Sequence, residues 1–207
     1  QLALAVASAL AKLFRVQASA QEFSLAMERM KRTGVGTAVF EVGGFVVDGG
    51  KKMQNGAVVP ESFPPLIFRS PFPEDWKFVV AVPNVKKGLA KTEEKNAFGQ
   101  TPQMPAETVG KLCRLTMMKM LPALVDCDIE SFGDALTKIQ VTIGNCFAGV
   151  QGGTFSSSAA AETIDYMKTC GAYGVGQSSW GPAVYGLTQG KAKAEKLRTE
   201  VEAFIQG

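Results

Sequence analysis

Two glycine-rich segments hold the residues whose types and spacing suit ligand chemistry. The first is Arg32-Thr33-Gly34-Val35-Gly36-Thr37, read as a helix end running into a strand. Glycines so close free the backbone to approach a ligand, and successive N–H groups can cradle a phosphate. The nearby cations Arg29, Lys31 and Arg32 suit an anion, although a helix C-terminal cap followed by a turn explains the same residues without a ligand. The second is Tyr173-Gly174-Val175-Gly176-Gln177-Ser178-Ser179-Trp180-Gly181-Pro182. A hairpin turn needs only two to five residues. Here Gly174, Gly176 and Gly181 sit with an amide, two hydroxyls and Trp180, a lining suited to a sugar phosphate with an indole for stacking. The plain alternative is an elaborate connector with Trp180 in the core. On the ligand reading Gln177 and Ser178 face an anionic ligand. Alanine at both would then abolish activity and leave stability almost unchanged.

Composition narrows the chemistry. The 207 residues include no histidine, so the usual general base and any Ser-His-Asp triad are excluded. Acid–base work would fall to carboxylates, lysine, tyrosine or the substrate. Cys113, Cys127, Cys146 and Cys170 form no CxxC pair, so no zinc or other metal-ligating set is assigned, and the expectation is buried free thiols in a reducing cytoplasm. A net charge of +3 gives no case for nucleic acid. The excess is local, with eight Lys/Arg against five Asp/Glu in residues 1–70 and fourteen of each in residues 71–207. The opening LALAVASALA is too short for a membrane span, and its cations follow the apolar run, the reverse of a signal peptide.

The elements that must position these segments follow from periodicity. Leu2, Val6, Leu10, Leu13 and Phe14 mark a buried helix. Ser19 and Glu22 form a capping box for a second helix, with Phe23, Ala26, Met27 and Met30 inward and Gly34 at its end. Residues 38–48, AVFEVGGFVVD, read as two strand segments about a glycine bend, and 65–69 as another strand. The Pro/Phe-rich stretch 60–75 is a boundary, dividing the chain into 1–70 and 71–207. Beyond it lie a strand at 77–83 and a polar loop at 84–104. A helix from Pro105 to Leu121 follows, with Val109, Leu112, Cys113, Met117 and Met120 inward and Pro122 ending or kinking it. Further helices cover 129–143 (capped by Asp128), 156–169 and 190–205. Two short strands flank 174–182, and these are expected to pair with 77–83 in one antiparallel sheet. The class is α+β.

Four runs stand out: GVGTAVFEVGGFVVDGG (34–50), MMKMLPAL (117–124), DIESFGDALTKIQ (128–140) and, most specifically, GVGQSSWGPAVYGL (174–187). They resemble the β-ribofuranosylaminobenzene 5′-phosphate synthases of the GHMP kinase superfamily. The resemblance covers nearly the whole chain. It implies a two-lobe GHMP-kinase-like fold, with a partial lobe like ribosomal protein S5 domain 2 at 1–70 and a ferredoxin-like lobe at 71–207. It also implies a phosphate loop and strands before Gln1 and a closing strand after Gly207, so the chain reads as truncated at both ends. The implied reaction joins 4-aminobenzoate or 4-hydroxybenzoate to phosphoribosyl pyrophosphate in methanopterin biosynthesis, an archaeal-type pathway, with release of pyrophosphate and CO2. Mg²⁺ is implied by that substrate. Superfamily kinases often carry an acidic residue in a G-[VL]-D-x-A stretch. Gly36 stands there in Gly34-Val35-Gly36-Thr37-Ala38, which disfavours a phosphoryl-transfer base.

On this reading Arg32, Gly34, Gly36 and Thr37 bind phosphate, while Gly174, Gly176, Gln177, Ser178, Ser179, Trp180 and Gly181 hold the ribose phosphate or benzoate. Lys87, Glu94, Lys119 and Asp48 are secondary candidates. No catalytic residue is assigned. A small-molecule kinase using ATP and a non-catalytic fragment or paralogue are the alternatives. Neither a membrane nor nucleic acid is an expected partner, and a homodimer is left open.

Overall fold

The computed structural model describes residues 2–27, 33–55, 57–59, 62–84 and 104–206. It divides into two compact units, Gln1–Phe72 and Pro73–Gly207. Arg29, Met30, Lys31, Arg32, Lys87 and Glu94 lie outside the described residues.

In the first unit, α1 (Leu2–Leu13) packs against α2 (Ala20–Ala26). The expected capping box forms: the Glu22 N–H donates to Ser19 Oγ at 3.2 Å and the Ser19 N–H to Glu22 Oε2 at 2.7 Å. The bond from the Ser19 N–H, and after it one from the Ser19 hydroxyl at 2.9 Å, hold the Glu22 carboxyl below its ordinary pKa. The burial of α1 differs from expectation. Leu4 and Ala11 are its buried residues, and the stripe Leu2, Val6, Leu10, Leu13 and Phe14 is exposed in this chain.

Residues 38–42, expected as strand, belong instead to helix α3 (Val35–Val42). Its β-branched residues favour a strand only weakly, and tertiary contacts decide otherwise. Asp48 Oδ2 accepts hydrogen bonds from the Gly34 and Val35 N–H groups at 2.7 and 3.1 Å, satisfying two orphan donors of the first turn. At the other end Arg69 Nη2 donates to Val42 O at 2.8 Å. Gly43 and Gly44, at φ of +60° and +79°, then turn the chain. A Cβ on Gly44 would lie 2.4 Å from Ser70 O. Strand β1 (Phe45–Asp48) leaves this turn and pairs antiparallel with β4 (Leu66–Ser70), Phe45 opposite Ser70. Between them β2 (Met53–Gln54) and β3 (Ala57–Val58) make a small hairpin.

The second unit contains one antiparallel sheet, ordered β5-β7-β6, built from β5 (Trp76–Ala81), β6 (Gly174–Gln177) and β7 (Val184–Gln189). The expected single sheet is therefore observed. One part of it differs: the glycine-rich run Gly174–Gln177 is itself the strand, not a loop between strands. The connection shrinks to residues 178–183.

Helix α4 (Ala106–Leu115) has no buried residue, and of its expected inward set Val109, Cys113 and Met117 are exposed, whereas Met120 is buried. Pro122 does not end the helical path. A π turn at Thr116–Met120, closed by the Leu121 N–H on Thr116 O, leads into α5 (Leu121–Val125). The wider turn precedes the residue that has no N–H to give. Helix α6 (Ile129–Gln151) is capped by Asp128, whose Oδ1 accepts from the Ser131 N–H at 3.0 Å, and it outruns its expected end by eight residues. The sheet core joins Val79, Val175 and Val184 to Ile164 and Met167 of α7 (Ser158–Thr169) and to Leu197 and Val201 of α8 (Lys191–Gln206). The thiols are not buried as expected: Cys113 and Cys127 are exposed, and Cys146 and Cys170 are half-buried. Among the described residues no helix is long and apolar enough to cross a membrane.

Helix α6 lies directly on edge strand β6. Gly133 meets the backbone there, and a Cβ on it would lie 2.2 Å from Tyr173 O. In the same helix a Cβ on Gly149 would meet nothing within 4 Å. These two glycines make a controlled pair. Gly133→Ala should destabilise by about 1–3 kcal/mol or more despite its better helix propensity. Gly149→Ala should stabilise by about 0.5–1 kcal/mol. Urea unfolding of both variants checks the contrast.

Candidate functional site

The hairpin between β6 and β7 is built from α6 outward. Three α6 residues at helical spacing meet it: Gly133, Thr137 and Gln140. The Val175 N–H donates to Thr137 Oγ1 at 3.0 Å and the Gln177 N–H to Gln140 Oε1 at 3.2 Å. Successive turns of the helix thus satisfy the two outward donors of the strand. At Gly144 the loop after α6 folds back, and a Cβ there would lie 2.2 Å from Thr154 O. Gln151 Nε2 fixes that loop by donating to Thr154 O at 2.8 Å.

Gln177 closes the arrangement. Its Oε1 accepts from the Ser156 N–H at 2.6 Å, and its Nε2 donates to Ser179 O at 2.9 Å. The residue is 6% exposed and its amide is used at both ends, so it is a buried bridge across the hairpin. Gly174 and Gly176 are likewise buried in β6. Gly174 is glycine because Gly133 Cα lies 2.7 Å from where its Cβ would sit. Ser178 and Ser179 are exposed at the tip. The tip is closed by the Ser178 N–H on Ala183 O at 2.8 Å and by the Gly181 N–H on Ser178 O at 3.0 Å. Gly181, at φ +68°, leaves no room for a side chain, since Ser156 Oγ is 2.2 Å from the Cβ position.

Beneath the tip is a cavity of about 190 Å³. Its walls are Ile143, Phe147 and Gln151 of α6 with Phe155, Gln177 and Trp180. Phe147 and Trp180 meet edge to face, their ring centroids 5.2 Å apart. No described lining residue is ionisable. Nearby, burial pushes the Tyr185 phenol well above its ordinary range, so it stays protonated.

In the first unit Gly34, Gly36 and Thr37 come together, but not as a turn leaving a helix. They form the start of α3, where the Asp48 carboxylate already accepts from Gly34 and Val35 and also from the Gly50 N–H at 3.1 Å. Thr37 is 4% exposed, and its hydroxyl shares a 2.6 Å hydrogen bond with Ser24 of α2. The cavity beside Gly34, about 50 Å³, is lined by two carboxylates, Asp48 and Glu41. A phosphate at these N–H groups would have to displace Asp48. The described residues therefore fall in two places, Gly34, Gly36 and Thr37 in one unit and Gly174 to Gly181 in the other.

Sequence reasoning missed Gln140, Phe147 and Gln151 as site builders. The signal was present as the spacing Gly133, Thr137, Gln140, Gly144, one residue out of phase with the apolar stripe Phe132, Leu136, Ile139, Ile143. Lys119, on the π turn, pairs with Asp134, which also binds Lys138 at 2.8 Å. The Lys119 hydrogen bond, then that of Lys138, holds the Asp134 carboxyl below its ordinary value. Among the described residues no group of three or more His, Cys, Asp or Glu is placed to hold a metal ion.

Residues 120–206 match the family model for the C-terminal domain of GHMP kinases. The chain is 34% identical over 197 residues to the β-ribofuranosylphenol 5′-phosphate synthase of Methanothermobacter thermautotrophicus, covering 92% of this chain and 59% of that protein. Its namesakes from Archaeoglobus fulgidus and Methanocaldococcus jannaschii are 35% and 30% identical, over 93% and 95% of this chain and 60% of each relative. The chain thus spans about three-fifths of the length of these relatives. Among solved structures, L. major mevalonate kinase in complex with R-mevalonate aligns with a TM-score of 0.64 at 15% identity, covering 97% of this chain and 59% of that one. Homoserine kinase from Cytophaga hutchinsonii aligns with a TM-score of 0.56 at 12% identity, covering 95% and 57%. The GHMP-kinase-like α+β fold expected from the sequence is the one observed.

Two measurements test this geometry. Gln177→Ala strands the Ser156 N–H and Ser179 O, and should cost about 1–3 kcal/mol. Ser178→Ala, at the exposed tip, should move stability by about 0.5 kcal/mol or less. Equal melting shifts for the two would contradict the structural role of Gln177. The Asp134 bridges should behave as a depressed carboxylate requires: their stabilisation is present above the ordinary Asp range and is lost as pH falls through the lowered folded-state value. At 42% exposure the effect is small. Asp134→Asn should cost under about 1 kcal/mol at neutral pH and almost nothing near pH 2, read from denaturation midpoints at the two pH values.

Proposed function

We propose that the chain belongs to the GHMP kinase superfamily, alongside the β-ribofuranosylphenol 5′-phosphate synthases, and that it acts as a decarboxylating ribofuranosyl phosphate transferase. Its substrates on this reading are phosphoribosyl pyrophosphate and 4-hydroxybenzoate or 4-aminobenzoate, and its pathway is that of methanopterin. The observation that carries the proposal is identity of about one residue in three to synthases of that name across more than nine-tenths of the chain.

The chemistry asks little of a strong base. As the C1–O bond to pyrophosphate breaks, the ribose carbon becomes oxocarbenium-like. The ring carbon bearing the carboxylate attacks it and forms the C–C bond. Loss of CO2 returns the electron pair to the ring and restores aromaticity. Preorganised donors need only neutralise charge growing on the pyrophosphate. A chain without histidine is compatible with every step. Mg²⁺ would accompany pyrophosphate oxygens, since Mg²⁺ sites often rely on substrate phosphates. The described residues supply no cluster of three or more His, Cys, Asp or Glu for it. We place the reaction in the cytoplasm, in keeping with four unpaired thiols.

A kinase reading fares worse at one position. Gly36, in the first turn of α3, stands where the kinase pattern has an acidic residue. Purified full-length protein given phosphoribosyl pyrophosphate and either benzoate should release pyrophosphate and CO2 in equal amounts. ATP-dependent phosphorylation of a small alcohol, with no CO2 from labelled benzoate, would replace this reading with the kinase one.

A further inference from the structure

We propose that the cavity between α6 and the β6–β7 hairpin binds the aromatic ring of the acceptor, against Phe147 and Trp180. This assignment rests on the synthase reading.

The name of the relatives specifies a product with two unlike halves, a phenol ring and a ribose 5′-phosphate. The anionic half requires cations or a set of free N–H donors. Among the described residues that line this cavity, none is ionisable, so it offers no cation. Three of its donors are already committed: the Gln177 N–H to Gln140, Gln177 Nε2 to Ser179 O, and Gln151 Nε2 to Thr154 O. What remains facing the space is largely apolar, from Ile143, Phe147, Phe155 and Trp180. Phe147 and Trp180 already stand edge to face at 75°, an arrangement that a third ring extends by stacking on one and presenting an edge to the other.

Size agrees with one ring. A volume of about 190 Å³ falls below the range of roughly 300–1,000 Å³ typical of drug-sized ligands. Polarity agrees with the reaction. The acceptor sheds its carboxylate as CO2, so the ring ends without that charge, and an uncharged wall does not hold the charged form back. The cavity is also preformed. The Thr137 and Gln140 bonds to β6, the Gln177 bridge to Ser156 and the Gly144 contact with Thr154 fix its walls before any ligand enters.

The test uses the full-length enzyme with 4-hydroxybenzoate and 4-aminobenzoate as probes. Ile143→Phe narrows the cavity, and Phe147→Leu removes one ring but keeps an apolar wall. Each should raise the KM for the benzoate by roughly tenfold or more while the KM for phosphoribosyl pyrophosphate stays within about twofold. A second readout does not depend on turnover or on those variants. In a Trp76→Phe background, Trp180 is the sole remaining indole of these 207 residues. The benzoate should quench its emission and phosphoribosyl pyrophosphate alone should not. Should one variant melt early, the other and the quenching decide. Turnover of the benzoate with unchanged KM in the folded variants, and no quenching, overturns the placement and leaves the synthase reading standing. Absence of both binding and turnover in the wild-type enzyme overturns the two together.

Discussion

An edge strand has N–H groups that no neighbouring strand can receive, and β6 meets that constraint with a helix. Val175 and Gln177 point two donors away from β7, and α6 answers with Thr137 and Gln140, three residues apart. Two residues along a strand and one turn of helix cover comparable distances, so the two ladders match. The match holds only if the helix approaches very closely, which is why Gly133 and Gly174 face each other. Placement of the hairpin, its tip and the cavity beneath it all follow from this contact. The same contact gives the unpaired edge a cover, the usual need of an exposed strand.

The first unit solves a related problem with charge. Helix α3 presents orphan N–H groups at its start, and Asp48 meets them from the strand that follows. One carboxylate serves three backbone donors, Gly34, Val35 and Gly50. Negative charge is favoured at a helix start by the dipole as well as by the hydrogen bonds. The chain therefore carries its own anion at the place where its sequence suggests a foreign one. The two glycine-rich segments, alike in composition, end in opposite environments: one acidic and filled, the other aromatic and open.

Local signals were legible where the physics is local. The Ser19–Glu22 box and the Asp128 cap involve residues three apart, and both formed as their types require. The sheet was legible too, because β5 and β7 are apolar and β-rich. Helix α3 was not, since its decisive cap is fourteen residues away and Val39, Phe40 and Val42 suggest a strand. Gly174 and Gly176 were misread for a different reason. Glycine in a strand usually signals a bend or a loop, and here it signals the close approach of another backbone. The resemblance pointed to the right segment of the chain, yet the cavity walls Phe147 and Gln151 lie in a part of α6 that periodicity had not extended to.

The side-chain clasp on β6 also determines how this region opens. An amide held by a neighbouring strand is released when the strands unzip. The amides of Val175 and Gln177 are held by Thr137 and Gln140 instead, so solvent reaches them only when α6 lifts. In deuterium exchange these two strand positions would share the opening free energy of the helix, and alternate residues along β6 would report on two different motions. The helix and the outer edge of the sheet would then open as one unit.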